Sequence, residues 1–262
     1  MSRKGVGKMQ RCYSLLMSFI LIFFCYQAVS AQVDDTTILW YKFDDEVEGE
    51  VEDISQYGNN GTVVGRPELE DQGKVGGAVR FTSGTQIRVP ISDSLNPEEE
   101  LTIEFWIMPD EVPGATYWRL IHKGWVGSGS YICGIDNNWM VLGYTWDINN
   151  TDGVRTDANM ANAVVAETWQ YYTGTYDGEK IILWIDGEPK ITTPATGEID
   201  GSFEIVIAEN YLGLMDEIRF SNVALDQDTI KKHMAGEDPG AQAVDSAGKL
   251  TTTWGRLKGN TK

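Results

Sequence analysis

The chain is short of cysteine, histidine and basic side chains, and each shortage closes off a class of protein. Of its three cysteines, Cys12 and Cys25 lie in an N-terminal apolar run, which leaves Cys133 alone in the rest of the sequence. No intrachain disulfide can form there, so a small disulfide-stapled module is excluded and a large core has to supply the stability. Cys133 itself sits in the strand-like run Ser130–Ile135 and reads as a small buried hydrophobe. Lys and Arg total 21 against 39 Asp and Glu, a formal net charge of −18. Such a surface repels a phosphate backbone, so nucleic acid is not an expected partner. The surplus carboxylates keep the chain soluble, and they are also the hard oxygen ligands that calcium requires.

Long apolar runs are equally scarce. The one clear case, Cys12–Tyr26, is shorter than a comfortable membrane span. It follows Arg3, Lys4, Lys8 and Arg11 and precedes the small residues Ala28, Ser30 and Ala31. Positive, apolar and small residues in that order read as a signal peptide over 1–31, cleaved after Ala31, with an uncleaved anchor as the competing reading. The expected product is secreted (extracellular, periplasmic or held at the cell surface), with no membrane span after cleavage. Losing four bases makes the remainder more acidic still.

What the rest contains is a succession of short β-type runs. Ile38–Phe43, Ala78–Phe81, Gln86–Val89, Leu101–Ile107, Tyr117–Ile121, Tyr131–Ile135, Trp139–Tyr144, Trp169–Tyr176, Lys180–Ile185, Phe203–Ala208 and Met215–Phe220 are separated by turn residues. Asp177-Gly178 and Asp186-Gly187 flank Lys180–Ile185, and Asp-Gly favours the tight turns that need positive φ. Helical periodicity is missing until Asp226–Met234, where Asp226 or Asp228 can cap one short helix. Many short antiparallel strands with glycine turns mean a sandwich or barrel, and the length leaves room for one core over residues 33–236. Residues 237–262 begin with Asp238-Pro239-Gly240-Ala241 and read as a linker and flexible tail.

Six phrases in order resemble the laminin-G-like modules of the concanavalin-A-like lectin/glucanase superfamily. They are Trp40–Asp44, Asp53–Thr62, Gly73–Phe81, Thr102–Ile107, the pair Trp169–Gly178 and Trp184–Gly187, and Met215–Leu225. Gln56 and Tyr57 depart from the usual Gly and Asn of the second phrase. The resemblance implies an all-β, two-sheet antiparallel jelly-roll sandwich with a short C-terminal helix. It implies function poorly, because this fold hosts lectins, glycosidases, lyases and adhesion modules. It also implies a structural calcium at Asp44, Asp53, Asn59 and Asp216, tying an N-terminal loop to the closing strand. A turn role for Asp53 and Asn59, each holding backbone groups, is the alternative.

The stretch 117–146 interleaves Tyr and Trp with glycine and asparagine. Sugar rings present apolar C–H faces and hydroxyl rims, so a glycan binder wants flat aromatics beside a few polar groups. Trp125, Trp139, Tyr144 and Trp146, with Asn137, are the candidate ligand-binding residues, whereas Trp106, Trp118 and Trp184 fall mid-strand and belong to the core. No catalytic residue is assigned. Glu198, Asp200 and Glu204 come nearest to a glycosidase constellation, but Gly201-Ser202 reads as a turn that splits them. His122 reads as an ordinary strand-end histidine with no partner motif, and His233 falls in the terminal helix. The expected function is therefore non-catalytic recognition of a cell-surface or extracellular carbohydrate. A glycan hydrolase or lyase of the same fold, or a protein-binding adhesion module, is the alternative.

Overall fold

A computed structural model describes residues 34–45, 47–114, 116–124, 131–136, 141–146, 156–199 and 203–237; for 141–146 and 156–157 it describes the backbone alone. The expected signal peptide and, from residue 238, the expected tail lie outside the described residues. These described residues belong to one compact unit spanning Val33–Gly240. In chain order the strands are β1 (Thr37–Tyr41), β2 (Glu50–Val51), β3 (Gly61–Val64), β4 (Glu68–Glu70), β5 (Ala78–Phe81), β6 (Gln86–Val89), β7 (Leu101–Pro109) and β8 (Trp118–Lys123). They continue as β9 (Tyr131–Asp136), β10 (Val141–Trp146), β11 (Thr156–Met160), β12 (Gln170–Tyr176), β13 (Lys180–Ile185), β14 (Glu188–Pro194), β15 (Ile205–Glu209) and β16 (Gly213–Ser221), followed by helix α1 (Gln227–Met234). None of the described helices is long and apolar enough to cross a membrane.

The strands form two eight-stranded antiparallel sheets. The first runs β14-β13-β12-β7-β16-β5-β4, with β1 also pairing to β16; the second runs β11-β10-β9-β8-β15-β6-β3-β2. The all-β jelly-roll sandwich expected from the sequence is what forms. The Ser83-Gly84 turn carries the chain from β5 in one sheet to β6 in the other instead of closing a hairpin. At Asp186 and Gly187, φ values of 53° and 71° give the turn that joins β13 to β14. Five strands escaped the sequence reading: β2, β3, β4, β11 and β14. They are short or polar, and Glu188–Pro194 is mostly exposed along its length, so no apolar alternation marks it.

The main core lies between the sheets. Leu101, Ile103, Phe105 and Ile107 of β7 point into it beside Tyr172, Tyr176, Met215, Ile218 and Phe220. The first sheet is covered on its other face as well. There Trp106, Tyr171 and Trp184 bury against Ile230 of α1 in a second cluster. Trp106 and Trp184 are thus buried as expected, but in this outer cluster; Trp118 is in the main core. The helix starts where Asp226 accepts a hydrogen bond from the Thr229 N–H at 2.8 Å, and His233 reaches down to Glu104, Nδ1 to Oε2, at 2.8 Å.

These contacts set a stability scale. Phe105→Ala should lower the unfolding free energy by about 3–5 kcal/mol, the range for emptying a buried aromatic site. Asp226→Ala should cost about 1 kcal/mol, the value of a lost N-cap. Equilibrium urea unfolding measures both, and equal losses would contradict the placement of the helix outside the main core.

Candidate functional site

The second sheet turns its outer face away from the core, and there polar residues from three strands converge. In β8, Trp118, Leu120 and Ile121 are core residues, as are Ile207 and Ala208 in β15. Two consecutive inward residues break simple alternation in each strand. The β8–β9 register shifts between Arg119 and Ile121, and Ala208 takes φ +64°. Left-handed backbone at an alanine costs on the order of 1 kcal/mol and persists only where the surroundings enforce it. Its consequence is that Glu209 faces outward, opposite Arg119, while His122 and Val206 form the next cross-strand pair.

Arg119 Nη1 donates to Glu209 Oε2 at 2.7 Å, and His122 Nε2 lies 3.4 Å from the same oxygen. One row further, Val206 pairs with Arg88 of β6, whose guanidinium donates to Glu204. Tyr117, half-buried, lies across Gly134 of β9: a Cβ on that glycine would meet the tyrosine hydroxyl at 2.9 Å. The Arg119 guanidinium stands 5.3 Å from the centre of the Tyr117 ring. The side chains of Arg119 and Glu209 are 16% and 30% exposed, so the pair is reachable from solvent.

His122 is buried, and this lowers its pKa from the ordinary 6.5 despite the Gly124 carbonyl and the Glu209 charge. The ring is therefore neutral at pH 7. Nδ1 lies 2.8 Å from the Gly124 carbonyl, which can only accept, so Nδ1 carries the proton and Nε2 presents a lone pair. Nε2 is buried without a hydrogen-bond donor among the described residues. Two acceptors, Nε2 and Glu209 Oε2, thus face one another across 3.4 Å. Burial keeps solvent away from the Nε2 lone pair.

Of the residues expected to bind ligand, Trp125, Asn137 and Trp139 lie outside the described residues. Tyr144 and Trp146 occupy β10 opposite Cys133 and Thr156, and their side chains are outside the description too. His122, read as an ordinary strand-end residue, lies near the end of β8 with Nδ1 on the Gly124 carbonyl, and it also stands beside Arg119 and Glu209. No local signal marks this, because Arg119 and Glu209 are 90 residues apart. Glu204 precedes β15 and pairs with Arg88, while the turn read at Gly201-Ser202 lies outside the described residues.

The four calcium candidates form two sets. Asp53, buried, accepts hydrogen bonds from the Trp40, Ser55 and Asn59 N–H groups and from the Ser55 hydroxyl. Asn59 donates to the Ile38 carbonyl and to Ser94. Both thereby hold backbone in the way a turn residue does. Asp44 and Asp216 instead bracket the glycine loop 73–77: Asp44 accepts from the Gly77 N–H, and Asp216 Oδ2 from those of Lys74 and Val75. Among the described residues, no group of three or more His, Cys, Asp or Glu could hold a metal ion. Asp216 Oδ1 and Glu217 Oε1 are nonetheless buried without a partner. Glu217 sits at φ +51° in a bulge of β16, its other oxygen accepting from the Trp40 indole at 2.6 Å. Burial pushes the Asp216 carboxyl up to about 8 and that of Glu217 up to about 7, against the N–H groups that favour the charged forms.

Residues 81–231 match the family profile of the concanavalin A-like lectin/glucanases superfamily. The chain belongs to this superfamily. No curated protein matches it in sequence. Among solved structures, domain 4 of a GH43 extracellular arabinanase from Geobacillus stearothermophilus, in complex with arabinotriose, superposes with a TM-score of 0.60 at 16% identity, over 75% of this chain and 97% of that domain. The binding domain of botulinum neurotoxin DC matches both in complex with SialylT (TM-score 0.59, 19% identity, 77% of this chain and 52% of that one) and in complex with rat synaptotagmin II (0.63, 17%, 78% and 52%). The chain spans about half the length of the toxin binding domains it matches. At these identities the likeness is one of fold, and the superfamily includes both binding modules and glycosidases.

The buried carboxyls make the stability of the protein depend on pH with an unusual sign. Their folded-state values exceed the ordinary 3.8 and 4.5, so the folded state holds protons that the unfolded chain releases. The resulting stabilisation is complete below about pH 4 and is lost as the pH rises through 7 and 8, a change on the order of a few kcal/mol. The unfolding midpoint should therefore be higher at pH 6 than at pH 9, and Asp216→Asn with Glu217→Gln should flatten the slope. A midpoint that climbs steadily to pH 9 would refute this.

Proposed function

We propose that the chain is a secreted, non-catalytic carbohydrate-binding module that takes an extracellular or cell-surface glycan on the outer face of its second sheet. The observation that carries this reading is the convergence of Tyr117, Arg119, His122 and Glu209 on that face. Two irregular strands are bent to achieve it, and backbone strain of this kind is kept where function repays it. The group has the composition a sugar needs: a flat ring, a planar donor and acceptors beside it. The expected contacts of Trp125, Trp139 and Asn137 belong to the same proposal, whereas Tyr144 and Trp146 are left out of it, because Tyr144 pairs with Cys133 and Ala158, both core residues. Support comes from the arabinotriose and SialylT complexes of proteins sharing the fold. A synaptotagmin complex on the same fold makes a protein ligand the outcome to test against.

A glycan array followed by titration calorimetry checks the reading. Arg119→Ala and Tyr117→Ala should each weaken binding by about tenfold or more, as the loss of a charged hydrogen bond or of a stacking ring does. Unchanged affinity in both variants would move the site elsewhere, and protein capture without any glycan signal would favour the adhesion alternative.

One observation favours a second reading. An imidazole whose Nε2 lone pair is held beside a carboxylate is a general base wherever a substrate reaches it; Nε2 is buried, so glycan cleavage at His122, the competing function, requires the ligand to open the face. Incubation with polysaccharides distinguishes the two: reducing-end release that disappears in His122→Asn would establish catalysis.

The structural calcium implied by the family resemblance joins the proposal around Asp216 and Asp44, since Asp53 is already saturated with donors. Thermal unfolding of metal-free protein with calcium and with chelator tests it. A rise in midpoint that Asp216→Asn abolishes supports the site; no rise removes calcium from the account.

A further inference from the structure

The charge pattern of the outer face specifies a class of glycan, given that the face binds glycan at all. Each described guanidinium on it is matched by a carboxylate: Arg119 by Glu209 and Arg88 by Glu204. Asp136, exposed and on the outward side of β9, adds a further negative charge. His122 adds none at neutral pH. Among the described residues the face therefore holds no surplus cation, in a chain whose net charge is −18. A uronate, sialate or sulfate entering here would have to displace Glu209 from Arg119 and would meet the repulsion of the whole molecule.

An uncharged sugar meets the opposite situation. Glu209 Oε2 and the Arg119 guanidinium that donates to it, 2.7 Å apart, are both reachable from solvent, the one accepting from and the other donating to a sugar hydroxyl. Adjacent hydroxyls on one ring offer a donor and an acceptor at neighbouring positions, and Tyr117 offers a surface for the C–H face.

We propose that the site selects neutral sugars, engaged through neighbouring hydroxyl groups at Arg119 and Glu209, and rejects acidic ones. The Arg119–Glu209 pair acts in this as the specificity filter: it supplies hydrogen bonds while cancelling the charge that would attract an anion.

The test compares neutral and acidic probes on the unmodified protein. Oligosaccharides of xylan, arabinan and β-glucan stand against polygalacturonate, alginate and sialyllactose, each titrated at about 0.05 M and 0.5 M salt, where screening differs strongly. Binding confined to neutral probes, with affinity changing by less than about twofold between the two salts, is the expected result. Glu209→Gln should weaken the neutral ligand by about tenfold, the loss of one charge-assisted hydrogen bond, and should let acidic probes bind in low salt. Binding of acidic probes to the unmodified protein in preference to neutral ones, or affinity that collapses with salt, overturns the inference while leaving a glycan-binding module intact. Silence from every glycan overturns the underlying reading as well. The salt comparison needs no variant, so a Glu209→Gln protein that misfolds leaves the test standing.

Discussion

The pairing of β16 with β7 is the contact on which the remainder of the fold depends. β16 lies at the centre of the first sheet, with β7 along one edge and β1 and β5 sharing the other. It thereby joins the earliest described strand to the last. The bulge at Glu217 divides the two neighbours. Residues 213–215 pair with β5 and residues 218–221 with β1, and the carboxylate at the break reaches the Trp40 indole.

That arrangement explains why so many ionisable groups are buried on the outer side of this sheet. Asp216 fastens the glycine loop 73–77, Arg219 donates to the Thr37 hydroxyl and stacks 4.4 Å from the Trp40 ring, and Glu104 receives His233 from the helix. Each contact binds a segment distant in sequence to the central strands. Buried charges are costly, and apolar packing would give as much stability. What hydrogen-bonded charges add is direction. They fix where the loop and the helix sit over Trp106 and Tyr171, a geometry that an apolar surface alone would leave open to sliding.

The same device recurs in the second sheet with a different result. A bulge at Leu120 and a left-handed Ala208 turn Arg119 and Glu209 away from the core, as Glu217 is displaced in β16. In the first sheet the displaced carboxylate is covered and structural; in the second it meets solvent beside His122 and Tyr117. The difference lies in what lies above. The helix and the 73–77 loop close one face, while on the other the Arg88, Glu204 and Glu209 side chains remain between 30% and 45% exposed. Function is therefore sought where a distorted strand presents charge to solvent.

Much of this was legible in the residues themselves. Asp-Gly turns, the short apolar runs of β7 and β13, the cap at Asp226 and six ordered phrases pointed to the sandwich and its one helix, because each depends on neighbours close in sequence. Edge strands such as β14 escaped, since a strand exposed along most of its length leaves no apolar pattern. The aromatic stretch 117–146 runs through β8, β9 and β10 of the second sheet, but nothing near His122 in sequence marks what it meets there. Its partners come from β15, and no spacing rule predicts that Ala208 turns left-handed so that Glu209 faces outward instead of into the core. Local chemistry thus determined which strands form and where they turn. Only tertiary structure decided which charges meet, because a single bulge in a distant pairing moves every side chain beyond it to the opposite face.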